Sequence, residues 1–169
     1  THREACNQYY ENIPEVVEEY LVKIKEITGR EYHLFSYYGA EDAENIIILM
    51  GSATEAAREV IDHQLKEGKK VGMISVHLYR PFSVKHLLAA VPKTVKRIAV
   101  LDRTKEPGAE GEPLYLDVKS AFYDVENKPM IVGGRYGLGS SDTTPAHIIS
   151  VFNNLELAEP KNHFTVGIV

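Results

Sequence analysis

The sequence holds one cysteine, Cys6, among its 169 residues. A lone thiol can close no internal disulfide and cannot ligate a metal by itself, so a reducing, cytoplasmic setting is the simplest expectation. No stretch approaches the roughly 18 consecutive apolar residues that a membrane-spanning helix requires, and no membrane partner is expected. Basic clusters are missing too: 19 Lys and Arg stand against 24 Asp and Glu, a net charge of -5. Neutralising phosphates needs clustered cations, so nucleic acid is not an expected partner either. The seven histidines include no H-E-x-x-H run and no pair with cysteine at metal spacing, and no metal site is expected. A G-x-S-x-G nucleophile elbow is absent, which leaves Ser, Asp and His without the frame of a hydrolase triad. Thr1, His2 and Arg3 supply neither an initiator Met nor a signal-peptide core, so the chain is expected to derive from a longer one.

What the sequence does hold is globular in proportion, with 44% hydrophobic and 25% charged residues. A chain of this length buries roughly 70% of its unfolded surface as one compact unit, so residues 1–169 read as a single domain. Val17, Tyr20, Leu21, Ile24 and Ile27 recur at helical spacing over Glu15 to Ile27, with Thr28-Gly29 as the stop. Pro14 suits the first turn of that helix, which leaves Ala5 to Tyr10 as a separate turn or short helix. Leu34 to Tyr38 is a candidate edge strand. Asn45 to Met50 is a continuous apolar run of the kind covered on both faces, hence a central strand. Ser52-Ala53-Thr54-Glu55 reads as a capping box opening a helix that ends near Gly68, and Val71 to Leu78 completes a β-α-β unit. Ser83 is a candidate cap for a short helix through Ala90. Arg97 to Leu101 and Met130 to Val132 give two more buried strands, Pro113 to Tyr123 a helix, and Pro145 to Leu155 the last helix, capped by Thr144. Strands alternating with helices predict a three-layer αβα domain on an open, mostly parallel sheet.

Ligands of such sheets bind beyond the carboxyl ends of the strands, which directs attention to Gly51-Ser52, Asp102 to Gly111 and Gly133 to Ser141. Gly51-Ser52 could offer free N–H groups to an anion, but it lacks the Lys of a P-loop and the glycines of a dinucleotide fingerprint, which favours simple capping. Gly133-Gly134-Arg135-Tyr136-Gly137-Leu138-Gly139 could hold a carboxylate through Arg135, yet the Rossmann pattern fails after Gly139, and chain reversal or an interdomain role is favoured. No catalytic, cofactor-binding or metal-ligating residue is assigned. Arg103, Lys105, Glu106 and Arg135 are the candidates for contact with neighbouring domains, since all four are expected on loops or turns near strand ends, where a core cannot absorb their charge. Alanine at Arg103 or Arg135 is then expected to leave local folding nearly unchanged.

A family resemblance enters on particular residues. Ile46 to Ser52, Val71-Gly72 through Leu78-Tyr79-Arg80-Pro81-Phe82, and Arg97 to Leu101 resemble the C-terminal domain of transketolase-like thiamine diphosphate enzymes. More specific are Leu101-Asp102-Arg103-Thr104-Lys105-Glu106-Pro107-Gly108-Ala109, Gly111-Glu112-Pro113-Leu114-Tyr115-Leu116-Asp117-Val118 and Gly134-Arg135-Tyr136-Gly137-Leu138-Gly139-Ser140. With Arg3 to Tyr10 and Lys161 to Ile168, these resemble domain II of pyruvate:ferredoxin (flavodoxin) oxidoreductase over nearly the whole chain. The resemblance implies a five-stranded mixed sheet with one antiparallel strand. It also implies a role in assembly: residues 1–14 and 156–169 become interdomain connections, the other domains of a homodimeric parent become partners, and ferredoxin or flavodoxin is met by those other domains. The parent's thiamine diphosphate and [4Fe–4S] clusters are placed elsewhere by the same resemblance, in keeping with a single cysteine where a cluster needs four. Two alternatives stay open: the C-terminal domain of a transketolase or 2-oxoacid dehydrogenase β-subunit, and a free-standing small-anion module using the helix starts at Ser52 or Thr144.

Overall fold

The computed structural model describes residues 2–168. The five-residue run Asn45–Leu49 forms β2, and its period-2 geometry sends Ile46 and Ile48 to one face of the sheet and Ile47 and Leu49 to the other. Both faces must therefore be covered, and helices cover both. On the first face Ile46, Ile48, Ile74, Ile98 and Val100 pack with α4 (Val84–Ala90) and α5 (Pro113–Ala121), chiefly through Leu87, Leu114, Tyr115 and Val118. On the second, Ile47, Leu49, Met73, Ala99 and Leu101 meet α3 (Ala53–Lys66) and α6 (Pro145–Glu156), through Ala57, Val60, Ile61, Ile148, Val151 and Phe152.

The remaining strands are β1 (Phe35–Gly39), β3 (Val71–Val76), β4 (Arg97–Asp102), β5 (Met130–Arg135) and β6 (Phe164–Thr165), in the order β1-β3-β2-β4-β5-β6. Only β1 is antiparallel, with Phe35 opposite Val76 and Gly39 opposite Gly72. The rest run parallel, placing Ile48 beside Ile74 and Val100. The three-layer, mostly parallel architecture is as the sequence predicted, and the sheet has six strands where the resemblance implied five. The sixth is the apolar step near the chain's end: Phe164 pairs with Gly134 and Thr165 with Arg135, so this stretch of the tail is built into the domain's own sheet.

Several local expectations are corrected. The first long helix, α2 (Asn7–Thr28), runs straight through Pro14, which lies inside it and not at its start. Proline removes one helical N–H, and Pro14 is the buried side chain of α2, so packing offsets the lost bond. A short α1 (His2–Ala5) precedes it. The capping box at Ser52 does not form: Ser52 already has helical angles, and the reversal falls on Gly51 at φ 80°. Thr54 Oγ1 instead donates to the Gly51 carbonyl at 2.8 Å. Ser83 is extended at the start of α4, but its hydroxyl meets His86 Nδ1 at 2.6 Å and caps no backbone group. Thr144 does cap α6, accepting from His147 N while the His147 ring takes the Thr144 N–H. Gly133, Gly134 and Arg135, expected in a loop, are the end of β5.

Candidate functional site

β2 and β4 end side by side, and the chain leaves them in opposite directions, towards α3 and towards the loop 103–112. Between these exits lies a cavity of about 340 Å³, floored by Met50 and Leu101 and walled by Ser52, Tyr79, Asp102 and Tyr136. Every buried polar group in it is explained from within the fold. Asp102, 7% exposed, accepts the Leu114 N–H on Oδ1 at 2.9 Å and the Tyr115 N–H on Oδ2 at 3.1 Å. A carboxylate at the end of β4 thus satisfies two of the free donors that open α5. Burial pushes the Asp102 carboxyl above its ordinary value, the two N–H groups pull it back, and the negative charges of Glu112 and Asp117 raise it again, for a net rise. Tyr136 donates its hydroxyl to the Met50 carbonyl at 3.0 Å, which ties β5's exit to that of β2, and burial raises its phenol. Tyr79 on the opposite wall is pushed up to about 12, chiefly by burial.

Asp102 frees Glu112 from capping duty. Glu112, at the N-cap position of α5 and 2% exposed, turns inward and meets Arg135 Nη1 at 2.9 Å. Arg135 then spends its other donors on the tail, Nε to Thr165 Oγ1 at 2.8 Å and Nη2 to the His163 carbonyl at 2.6 Å. Its side chain is 14% exposed. Beside this staple Asn162 Oδ1 accepts the Gly133 N–H at 2.7 Å, and Asn162 Nδ2 donates to Tyr115 Oη at 3.0 Å. The glycines of β5 permit this contact: a Cβ on Gly133 would sit 2.8 Å from the Tyr115 ring, and one on Gly134 would run into the ring of Phe164.

The four residues singled out in the sequence therefore part company. Arg103, Lys105 and Glu106 share the exposed loop after β4, where Arg103 Nε reaches the Gly137 carbonyl at 3.5 Å. Among the described residues Lys105 and Glu106 have no ion-pair partner. Arg135 is not on a loop; it ends β5 and is committed to Glu112 and the tail. The working polar residues that sequence reasoning missed are Asp102 as an acceptor, Glu112 and Asn162. An Asp directly after a buried strand and a Pro-started helix were both visible, but their meeting across 12 residues was not.

The donor set defines what the site can do chemically. Among the described residues no three His, Cys, Asp or Glu side chains are grouped to hold a metal ion. Cys6 is exposed and stands alone, so the residues present do not fit an iron–sulfur cluster, which needs four thiolates. No side chain in the cavity pairs a nucleophile with a base. The Asp102 carboxylate accepts from the backbone of α5 and the Tyr136 phenol donates to that of Met50, so the arrangement fixes neighbouring segments to the sheet.

An open, mostly parallel sheet with helices on both faces and a crevice at its strand ends defines a three-layer α/β domain. The family model for pyruvate:ferredoxin oxidoreductase core domain II matches residues 43–148, and the chain belongs to that family. Its relatives include the pyruvate-flavodoxin oxidoreductase of Enterobacter agglomerans, 59% identical over 166 residues that cover 98% of this chain and 14% of the relative. The pyruvate:ferredoxin oxidoreductase of Moorella thermoacetica is 51% identical over the same shares. The chain thus spans about 14% of the length of such relatives. Among solved structures, 2-oxoglutarate:ferredoxin oxidoreductase from Magnetococcus marinus, with 2-oxoglutarate, coenzyme A and succinyl-CoA bound, superposes with a TM-score of 0.51 at 23% identity. The superposition covers 72% of this chain and 19% of that one, and it shows a shared fold.

Proposed function

We propose that this chain is the structural and assembly domain of a thiamine diphosphate- and iron–sulfur-dependent pyruvate:ferredoxin oxidoreductase. In that reaction pyruvate and coenzyme A give acetyl-CoA, carbon dioxide and a proton, and two electrons pass to ferredoxin or flavodoxin. The observation that carries the reading is the pairing of 59% identity over 98% of this chain with a 14% share of the relative. A domain inside a far longer enzyme, whose buried strand-end groups Asp102, Tyr136 and Arg135 are bonded within its own fold, serves that enzyme by shape. The cofactors are then held by other domains, which are its immediate partners within a homodimeric, cytoplasmic parent. Arg103, Lys105 and Glu106, exposed on one loop, are its charged contacts with those domains.

The test compares pyruvate-dependent reduction of a viologen dye by the full-length polypeptide and by the 169-residue chain. Turnover is expected only from the former, since the chain lacks both the carbanion-stabilising group and the electron path. Dye reduction by the chain alone would overturn the reading, as would a full-length polypeptide inactive with pyruvate and coenzyme A.

A further inference from the structure

α2 carries an apolar stripe about twice as wide as the domain can cover. At about 100° per residue, Pro14, Val17 and Leu21 fall on one arc of the helix. Val17 and Leu21 pack against the first-face core, and Glu18 beside them accepts the Leu34 N–H at 2.8 Å. Tyr9, Val16, Tyr20, Ile24 and Ile27 continue the same stripe over the adjoining arc, and all five are exposed, Tyr20 by 59% and Ile27 by 84%. The opposite side is a ridge of glutamates at 11, 15, 19 and 26. The helix is therefore amphipathic in the ordinary sense, with its polar side towards water and half of its apolar side left bare. Two tyrosines that can each bury about 150–250 Å², together with three β-branched side chains, make a patch at or above the roughly 300–600 Å² of the largest apolar patch on a soluble monomer.

We infer that the outer stripe of α2 (Tyr9, Val16, Tyr20, Ile24, Ile27) is the seat of another domain of the same polypeptide, which lays an apolar face along it. The inference rests on the assembly reading above and gives it a surface. What identifies the occupant is the length of chain outside this domain: relatives place about six sevenths of their length elsewhere. A domain on the same chain meets the stripe at an effective concentration near millimolar, which a second copy does not reach. The charged loop after β4 is not needed for this contact, since it lies at the carboxyl ends of the strands and the stripe lies on a helix beyond α4.

Hydroxyl-radical footprinting of the full-length enzyme, resolved by peptide mass spectrometry, tests the coverage without any substitution. For each residue the oxidation rate in the native enzyme is divided by that in the urea-unfolded enzyme. At the core of an interface Tyr20 and Ile24 are fully desolvated, and the ratio is expected to fall about tenfold. A ratio within about twofold of unity, as the exposure in this domain alone would give, overturns the inference. The occupant is identified with a photoreactive residue at Ile24 in enzyme assembled from equal amounts of light and nitrogen-15 polypeptide. Cross-links joining like-labelled peptides of another domain are expected, whereas light–heavy pairs would assign the stripe to a second copy and overturn the choice of occupant. Pyruvate-dependent dye reduction by the same preparation reports separately on the assembly reading, so the two can fail independently.

Discussion

Arg103 stands on the loop after β4 and Arg135 pairs with Glu112 at that loop's far end, and the fold gives these like charges opposite weights. Truncating Arg135 leaves Glu112 buried without its partner, a change that costs about 3–5 kcal/mol in comparable buried pairs. Arg103 is exposed with one long hydrogen bond, and its loss is expected to stay within about 0.5 kcal/mol. Urea denaturation of the purified chain should therefore show a large fall in midpoint for Arg135→Ala and almost none for Arg103→Ala. Equal midpoints would mean that the Glu112 pair contributes nothing. Replacing both members with apolar residues, Arg135→Met with Glu112→Leu, should recover most of the loss, since the penalty is that of an orphaned charge. Asp102 predicts a pH dependence. Its folded value is raised, chiefly by burial, so the folded state holds the proton more tightly than the unfolded chain. Its contribution is fully present below the ordinary carboxylate value of about 3.9 and declines as pH rises through the elevated folded value. Measured against Asp102→Asn, the stability advantage of the natural residue should shrink as pH rises from about 4. An advantage that grows over that range would show that the two N–H groups outweigh burial.

At the scale of elements, β5 and α5 are locked by what glycine omits. Gly133→Ala puts a methyl carbon 2.8 Å from a Tyr115 ring that is 1% exposed and has no room to retreat. Overpacking of this kind costs about 1–3 kcal/mol, and thermal melts of the variant should register it without loss of helical signal. Gly133 and Gly134 read as a turn in the sequence because glycine-rich runs usually are turns. Nothing local says that two rings, from α5 and from a tail some 30 residues away, will lie across them. The same limit explains Ser52, where the capping pattern is present and Gly51 takes the reversal first. What was legible was what local pattern carries: the apolar runs of β2, β3 and β4, the helices α3 and α6, the Thr144 cap with Pro145 after it. The Pro14 boundary was misplaced because proline's local cost was visible and its burial was not. Of the site, the loops were found by the rule for parallel sheets, while the Asp102, Glu112 and Asn162 bonds, all between residues distant in sequence, were not.

For the molecule as a whole, the loop 103–112 leaves β4 at a carboxylate bound to the start of α5 and rejoins α5 at a residue bound to Arg135. Both of its ends are thus clamped independently of what lies between them. Such a segment is a permissive splice point: lengthening a closed loop twofold costs only about 0.6 kcal/mol in chain entropy. A flexible Gly/Ser stretch as long as the loop itself, spliced after Gly108, is therefore expected to leave the melting temperature of the chain within a few degrees of its original value. In the full-length enzyme the same insertion would push Arg103, Lys105 and Glu106 out of register with whatever they meet. A melt unchanged in the chain, alongside slowed dye reduction in the enzyme, is the expected pair of results. Collapse of the chain itself would show that the clamps do not hold. If they do hold, the loop can be reshaped without disturbing the sheet beneath it, so that stability and fit to neighbouring domains are set by separate residues.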